Sequence, residues 1–424
     1  MKDSVVSKCV GWVVLIAKFG SVQVLVQTIG FCAGLLLVRF MSKEDYALYT
    51  LAITMLGTMA VLSDSGVGSG ATSLAGRFWG DAIKLGQVVK TAIRLRWIFG
   101  IAVAGFFSPV LFFWLKYLGT ESREAFVGAL LVALTLFFQT GSSILSVVPR
   151  MLLQANRLQS IEFFTSLVRL AAVGAAWLFF LDFVTALLAG LASAVFQWFL
   201  FFHMTRHDFR RDVQVDPGIK SAILKIVVKH SPNAIYYCIQ SHLVIWLLGI
   251  FGSSATLADA GALGRLAVVF TIVGNIVASL VMPRFSRCDS AKLLWWRYHQ
   301  VVFLLILALF GTVMLAVLFP TQMLWILGGQ YKGLELEFLL MVIAQSVNCL
   351  LMALSTLNLG RGWIVSPWVA IPIGIISYIS LFYWIGVSTL SQVLLAGIIV
   401  SVIAVFINYV QAIYSISRLD GLKK

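Results

Sequence analysis

The chain has 424 residues, of which 60% are hydrophobic and only 11% are charged, and its formal net charge is +14. This balance is unlike that of soluble globular proteins. A bilayer core about 30 Å thick needs about 20 apolar residues per helix, and many runs in the chain reach this length. The sequence therefore predicts an all-α polytopic membrane protein.

Twelve apolar runs bounded by charged residues are predicted to be transmembrane helices. They lie near 11–38, 46–76, 97–118, 125–148, 158–180 and 183–204 in the first half, and near 231–251, 258–283, 300–319, 334–358, 363–385 and 391–414 in the second. The first run lacks a cleavage signal and is interpreted as a retained helix. The second run is longer than a bilayer requires, so we expect it to tilt or break near residues 64–70.

The basic residues fix the predicted orientation. With the amino terminus inside, most of the 31 Lys and Arg residues fall in cytoplasmic segments and few fall in outer loops. We therefore predict a multi-pass protein of the cytoplasmic (inner) membrane with both termini in the cytoplasm. Because topology explains the positive charge, we expect no nucleic-acid partner.

The longest polar connection, residues 203–230, separates six spans from six. We predict an N-terminal six-helix bundle over 1–205, a cytoplasmic linker over 206–230 and a C-terminal six-helix bundle over 231–424. Within the linker, residues 219–228 fit an amphipathic helix at the membrane surface and a plain linker equally well. The outer loops are too short for a catalytic domain, so we expect a protein that is not an enzyme.

The five cysteines predict neither a metal site nor a disulfide framework. They are odd in number and far apart, namely Cys9, Cys32, Cys238, Cys288 and Cys349. We expect no metal and no cofactor.

Charged residues within the predicted spans are the first candidates for function, because an unpaired charge in hydrocarbon costs at least a few kcal/mol. Lys18 either snorkels to the headgroups or faces a water-filled cavity. Asp64 either caps a helix break or serves as a proton or cation site, or as an ionic partner of Lys18 or Arg265. Arg265 lies among small residues, and its guanidinium suits a diphosphate; the alternative is an arginine that snorkels to the interface.

Two further groups of residues are weaker candidates. The amides of Gln23, Gln27 and Gln240 could hydrogen-bond sugar hydroxyls or simply bridge helices. The glycine-rich run 66–70 is not a phosphate loop, because no Lys follows at the required offset and no strand precedes it.

Several segments together are similar to polysaccharide flippases of the Wzx type. The run Arg39-Phe-Met-Ser-Lys-Glu-Asp-Tyr-Ala-Leu-Tyr resembles the family's loop before the second helix, and Asp64-Ser-Gly-Val-Gly resembles its D-x-G run. Ser231-Pro-Asn, the run 258–267, Met282-Pro-Arg-Phe-Ser and the run 327–333 resemble second-half segments of the family. The resemblance covers nearly the whole chain, with Ala47 standing where the family usually has Gly.

The resemblance implies the fold of the multidrug/oligosaccharidyl-lipid/polysaccharide exporters, with two pseudo-symmetric bundles forming a V-shaped central cavity. It implies a lipid-linked oligosaccharide on undecaprenyl diphosphate as cargo, in contact with membrane lipids, and a polysaccharide polymerase and chain-length regulator as partners. Carried over by position, Lys18, Asp64 and Arg265 line the cavity. Gly66, Gly68 and Gly70 then form a hinge, and Asp64 balances charge or couples an ion. An ion-coupled drug exporter of the same fold is the main alternative, and a polymerase or ligase is a weaker one.

Overall fold

The computed structural model describes residues 22, 24–78, 81–151, 154–206, 208, 212–277, 281–282, 285, 291–361, 363 and 365–421. Every regular element in this part of the chain is helical. Lys18 and Gln23, with the first part of the predicted first span, lie outside the described residues.

The helices follow the predicted spans closely. In the first half they are α1 (Val24–Phe40), α2 (Lys43–Asp64), α3 (Val67–Arg77), α4 (Ala82–Tyr117), α5 (Ser122–Leu145), α6 (Val147–Met151), α7 (Ala155–Phe179) and α8 (Phe183–Met204). In the second half they are α9 (Pro217–Phe251), α10 (Ser254–Leu266), α11 (Val268–Ile276), α12 (Ala291–Leu318), α13 (Pro320–Leu327), α14 (Glu335–Gly360), α15 (Pro367–Ile385) and α16 (Leu390–Gly421). Nine of the described helices are long and apolar enough to cross a membrane. The protein is thus a multi-pass membrane protein, as predicted.

Two predicted spans are each built from two helices. The second span is α2 followed by α3, and the described part of the eighth span is α10 followed by α11. Short polar side chains start both spans: the Ser42 hydroxyl accepts a hydrogen bond from the Asp45 N–H, and Ser253 forms a reciprocal cap with Thr256. Such caps satisfy N–H groups that the first helical turn leaves free.

By its internal contacts the chain divides into two compact units, Met1–His242 and Leu243–Lys424. In the first unit, α5 packs on α4 and α8, while α2 packs on α4 and α5. The N-terminal part of α9 belongs to this unit, because Ile219, Ile223 and Val227 are buried in a core shared with α3 and α4. The boundary between the two units therefore falls inside a single 35-residue helix.

In the second unit, α14 and α16 pack together along an interface that contains hydrogen-bonded polar side chains. Ser391 donates to Glu337 at 2.8 Å, and Ser401 donates to Asn348 at 2.9 Å. Further along, the Asn358 amide donates to the main-chain oxygen of Asn408 at 2.9 Å. Such interhelical hydrogen bonds contribute about 0.6 kcal/mol each within a membrane and fix the register of the two helices.

Candidate functional site

The break in the second span lies at Ser65 and Gly66. Ser65 adopts the left-handed conformation (φ 40°, ψ 25°), and Gly66 follows with φ 97°. A side chain at a position with this φ clashes with the following carbonyl, so Gly66 suits the turn that starts α3. The sequence thus indicates the position of the break correctly.

The carboxylate of Asp64 serves both sides of the break. One oxygen accepts a hydrogen bond from the Gly68 N–H at 2.8 Å, which satisfies a free donor in the first turn of α3. The same oxygen lies 2.5 Å from an Nη atom of Arg96 on α4. The carboxylate therefore caps α3 and also ties it to a neighbouring helix.

The Asp64–Arg96 ion pair is largely withdrawn from solvent. The side chain of Arg96 is only 10% exposed and that of Asp64 is 31% exposed. The Nε–H of Arg96 has no hydrogen-bond partner among the described residues. Because a buried, unpaired guanidinium would be strongly unfavourable, Asp64 is the group that keeps Arg96 stable in this position.

The pair lies far from the predicted outer ends of its two helices. Asp64 is about 32 Å along α2 from Lys43, and Arg96 is about 32 Å along α4 from Tyr117, at 1.5 Å per residue. Lys43 and Tyr117 are at the predicted outer ends of these helices. Since a hydrocarbon core is about 30 Å thick, the predicted topology puts both charges near its cytoplasmic edge.

The three glycines predicted to form a hinge occupy different structural positions. Gly66 is in the break, whereas Gly68 and Gly70 lie within α3. A Cβ on Gly68 would lie 2.9 Å from the Asp64 carboxylate, and a Cβ on Gly70 would lie 3.3 Å from the Ile223 side chain on α9. Gly68 leaves space for the cap and Gly70 leaves space for a helix contact, so only Gly66 has the backbone conformation of a turn.

Arg265 lies beside the interruption of the eighth span. It is half-buried in the last turn of α10, about 17 Å along the helix from Ser254 and about 10 Å from residue 258, where the predicted span begins. At the interruption, the Ala267 N–H bonds to the Gly264 oxygen at 3.2 Å, a tighter turn than an α-helix makes. Ala267 keeps right-handed helical dihedrals (φ −70°, ψ −6°), so one tightened turn separates the two helices.

The two described glutamine candidates lie well inside their helices. Gln27 is half-buried on α1, about 20 Å from Phe40, and Gln240 is half-buried on α9, about 17 Å from Phe251. Within the first unit, Cys238 and His242 on α9 face α2: the Cys238 thiol lies 3.9 Å from the Thr58 oxygen, and the His242 ring lies beside Gly57.

Two further arginines have partners in the structure, and sequence reasoning missed the role of the first, Arg96. Arg96 was assigned to the basic segment before the third span, yet it pairs with Asp64. Arg169 donates to the hydroxyl of Tyr49 at 3.2 Å, and Tyr49 is buried. Arg96 could have been found by its spacing, because it follows the buried residues Val88 and Ala92 at intervals of four on one helix face.

The motif at the start of α2 has a structural explanation in this chain. Asp45 accepts a hydrogen bond from the Ser42 hydroxyl at 2.8 Å, and Tyr46 and Tyr49 are buried against each other with ring centroids 6.2 Å apart. These residues anchor the beginning of the span. The motif therefore stabilises the fold directly, and it is weaker evidence for the identity of a cargo.

Solved structures show the same chain fold. Two structures of a multidrug resistance MATE family transporter of the MOP superfamily, inward-facing and outward-facing, match with TM-scores of 0.75 and 0.68. Their identities are 15% and 16%, and the matches cover 93% and 96% of this chain and 96% of each of those chains. The chain has the fold of these structures. The predicted fold class, an all-α membrane protein with two helical bundles, is thereby confirmed.

A third structure with the MOP fold is a superfamily transporter from Pyrococcus furiosus, for which reversed polarity of the binding pocket is said to suggest a different function. It matches with a TM-score of 0.62 at 17% identity, over 95% of this chain and 94% of that one. No protein-family model matches the chain, and no curated protein matches it. At these identities, the similarity establishes the fold and leaves the cargo to be argued from the residues.

Proposed function

We propose that this protein is a flippase that moves oligosaccharide units linked to undecaprenyl diphosphate across the cytoplasmic membrane by alternating access. The observation that carries the proposal is Arg265, a half-buried arginine inside a predicted span, beside the residue at which α10 ends and α11 begins. Ionisable residues within membrane spans are rare and mark substrate or ion pathways in many membrane proteins. A diphosphate suits a guanidinium, which can contact two phosphate oxygens at once.

Two residues of the first unit are proposed to bind the polar head of the cargo. Gln27 and Gln240, both half-buried, supply amides for sugar hydroxyls. Lys18 and Gln23 remain predicted cargo ligands. A polysaccharide polymerase and a chain-length regulator remain proposed partners, and the protein itself is proposed to be a transporter and not an enzyme.

A drug exporter coupled to an ion is the second candidate, because the MATE structures that share this fold are described as multidrug transporters. Such an exporter would need an accessible acidic site for the coupling ion. In the first unit, Asp64 was the leading acidic candidate, and its carboxylate is occupied by Arg96 and by the Gly68 N–H. This arrangement favours a charge-balancing role for Asp64 over an ion-coupling role.

The deciding measurement is flipping of a fluorescent undecaprenyl-diphosphate sugar in proteoliposomes, followed by chemical quenching of the label in the outer leaflet. We expect Arg265→Ala to lower the rate about tenfold or more, because a charge-assisted hydrogen bond contributes about 1.5–3 kcal/mol. Arg265→Lys should retain part of the activity. Arg123→Ala makes the same chemical change at an exposed position and serves as the matched control.

Two results would reject the proposal. One is unchanged flipping in both Arg265→Ala and Lys18→Ala variants that insert normally. The other is proton- or sodium-driven transport of cationic dyes by a protein that does not flip the glycolipid, which would establish the drug exporter instead.

A further inference from the structure

The first three turns of α9 carry chemically different side chains on opposite faces. Ile219, Ile223 and Val227 are 8%, 0% and 7% exposed and pack into the core that α3 and α4 also form. At 100° per residue, these positions make one narrow stripe along the helix. Their burial fixes the rotation of α9 and thereby determines which residues face outward.

The outward surface lines a shallow, open groove with a volume of ≈ 470 Å³. Its described lining residues all belong to α9, namely Pro217, Lys220, Ser221, Leu224, Lys225 and Val228. At 100° per residue they cover about 140° of the helix circumference, and all of them except the half-buried Leu224 are exposed. Val228 is 73% exposed, a large apolar residue on the same face as two exposed lysines.

The groove has a polar end and an apolar end. Lys220 is near the start of α9, whereas Val228 is about 12 Å further along, towards the apolar run that crosses the membrane. Leu224 lies between them, next to Lys225. Along the helix, the surface thus changes from cationic to apolar in the direction that leads from headgroups to acyl chains. A lysine side chain fits such a surface, because its hydrocarbon stem can cover apolar atoms while its ammonium group stays among the headgroups.

Lysines, and not the helix terminus, supply the charge in the groove. The Asp216 carboxylate already accepts hydrogen bonds from the N–H groups of Gly218 at 2.6 Å and Ile219 at 3.2 Å. An anion must therefore be bound by Lys220 and Lys225. Two separate ammonium groups on an open surface suit a singly charged phosphodiester better than a tightly enclosed diphosphate, for which an arginine fork would be expected.

We propose that this groove binds an anionic phospholipid of the adjacent leaflet. Its phosphate is held by Lys220 and Lys225, and its acyl chain runs along Leu224 and Val228. The groove shares no residue with the proposed cargo site, and the proposal does not depend on which cargo is moved. The bound lipid would extend the contacts of α9 from the protein core to the bilayer surface, as a basic amphipathic helix does at anionic membranes.

The full-length purified protein can be titrated in detergent with phosphatidylglycerol and phosphatidylcholine, with binding followed by native mass spectrometry. We expect phosphatidylglycerol to bind and phosphatidylcholine to bind far more weakly. The double variant Lys220→Gln/Lys225→Gln should bind phosphatidylglycerol about tenfold or more weakly, because it removes both charges that face the phosphate. The control Lys84→Gln/Lys292→Gln removes two exposed lysines outside the groove and should bind like the wild type.

Val228→Ser tests the apolar end. It should weaken phosphatidylglycerol binding and leave any binding of glycerol 1-phosphate unchanged. Three results would overturn the proposal. The control variant could lose as much phosphatidylglycerol binding as the groove variant, the two phospholipids could bind equally well, or the groove variant could retain its binding. Farnesyl diphosphate serves as a probe for a lipid diphosphate. If it occupies the groove and phosphatidylglycerol does not displace it, the groove binds the transported lipid and the proposal is overturned.

Discussion

At the level of single residues, the contact between Asp64 and Arg96 changes how the charges of the first unit are interpreted. An acidic residue next to a glycine-rich break suggested a cation site or a partner for Lys18 or Arg265. The structure instead gives Asp64 a neighbouring arginine at 2.5 Å and a backbone N–H at 2.8 Å. Both contacts come from donors within the protein, so the described residues already supply the carboxylate with a cationic partner.

Removing one member of the pair should be worse than removing both. We expect Asp64→Asn to lower the free energy of unfolding by about 2 kcal/mol, below the roughly 3–5 kcal/mol of a fully buried pair because Asp64 is 31% exposed. Adding Arg96→Met should recover part of this loss, since the unpaired guanidinium is then gone. A double-mutant cycle of denaturant-induced unfolding in detergent measures the coupling.

The ion pair Arg157–Asp208, whose arginine is the exposed member, provides the comparison. Its atoms are 3.0 Å apart, and the side chains of Arg157 and Asp208 are 43% and 14% exposed. Asp208→Asn leaves an arginine that still contacts water, so the substitution should cost less than about 1 kcal/mol. Strictly additive effects of Asp64→Asn and Arg96→Met would contradict the coupling.

This contact also shows why the site was only partly predictable. Asp64 and its glycines stand out in the sequence because both are unfavourable in a membrane helix. Arg96 does not stand out, since it looks like one of many basic residues that flank a span, and its partner lies 32 positions away in the chain. Pairing over such a separation depends on how α2 and α4 pack, which local patterns do not specify.

At the level of helices, the second span depends on two glycines for different physical reasons. Gly66 requires a positive φ, and Gly68 requires space beside the Asp64 carboxylate. We expect Gly66→Ala to destabilise the protein by about 1–2 kcal/mol through backbone strain. Gly68→Ala should move the Asp64 side chain, so its effect should largely disappear in an Asp64→Asn background. Thermal unfolding of the four variants in detergent tests both statements.

Gly105 on α4 is the matched control, because a Cβ there would meet no atom within 4 Å. Gly105→Ala should be neutral or should stabilise the protein by up to about 1 kcal/mol, since alanine favours a helix more than glycine does. If Gly105→Ala destabilises the protein as much as Gly66→Ala does, backbone strain at Gly66 is not the cause of its loss of stability.

Helix α9 shows the limit of predicting elements from hydrophobicity. The apolar run 231–251 is correctly predicted as helical, but the preceding polar residues belong to the same helix, which begins at Pro217. Their helical pattern was visible, yet a surface helix and a linker fitted it equally well. Only the burial of Ile219, Ile223 and Val227 against the first unit distinguishes the two.

At the level of the whole molecule, twelve apolar runs and their flanking charges were enough to predict the class of fold, because each span must satisfy its own backbone hydrogen bonds within lipid. The boundary between the compact units was not accessible in this way. The contacts divide the chain at His242, within α9, whereas the polar linker suggested bundles over 1–205 and 231–424. Those bundle limits stay a prediction.

The orientation of the chain can be tested directly. In a cysteine-free background, a cysteine replacing Glu121, between α4 and α5, should react with a membrane-impermeant maleimide added to intact cells. A cysteine replacing Gln214, before α9, should react only after the membrane is opened. Both positions are exposed, so a difference in labelling reports sidedness. The reverse pattern would place both termini outside and contradict the positive-inside assignment.

The balanced charges at the break in the second span have an electrical consequence. A single elementary charge that moves through the whole membrane field exchanges about 2.3 kcal/mol with a potential of 100 mV. Asp64 and Arg96 are in contact and opposite in sign, so any displacement that carries them together transfers no net charge. If α3 and the adjoining part of α4 shift as one body during the proposed transport cycle, the Asp64–Arg96 pair therefore adds nothing to the voltage dependence of this movement.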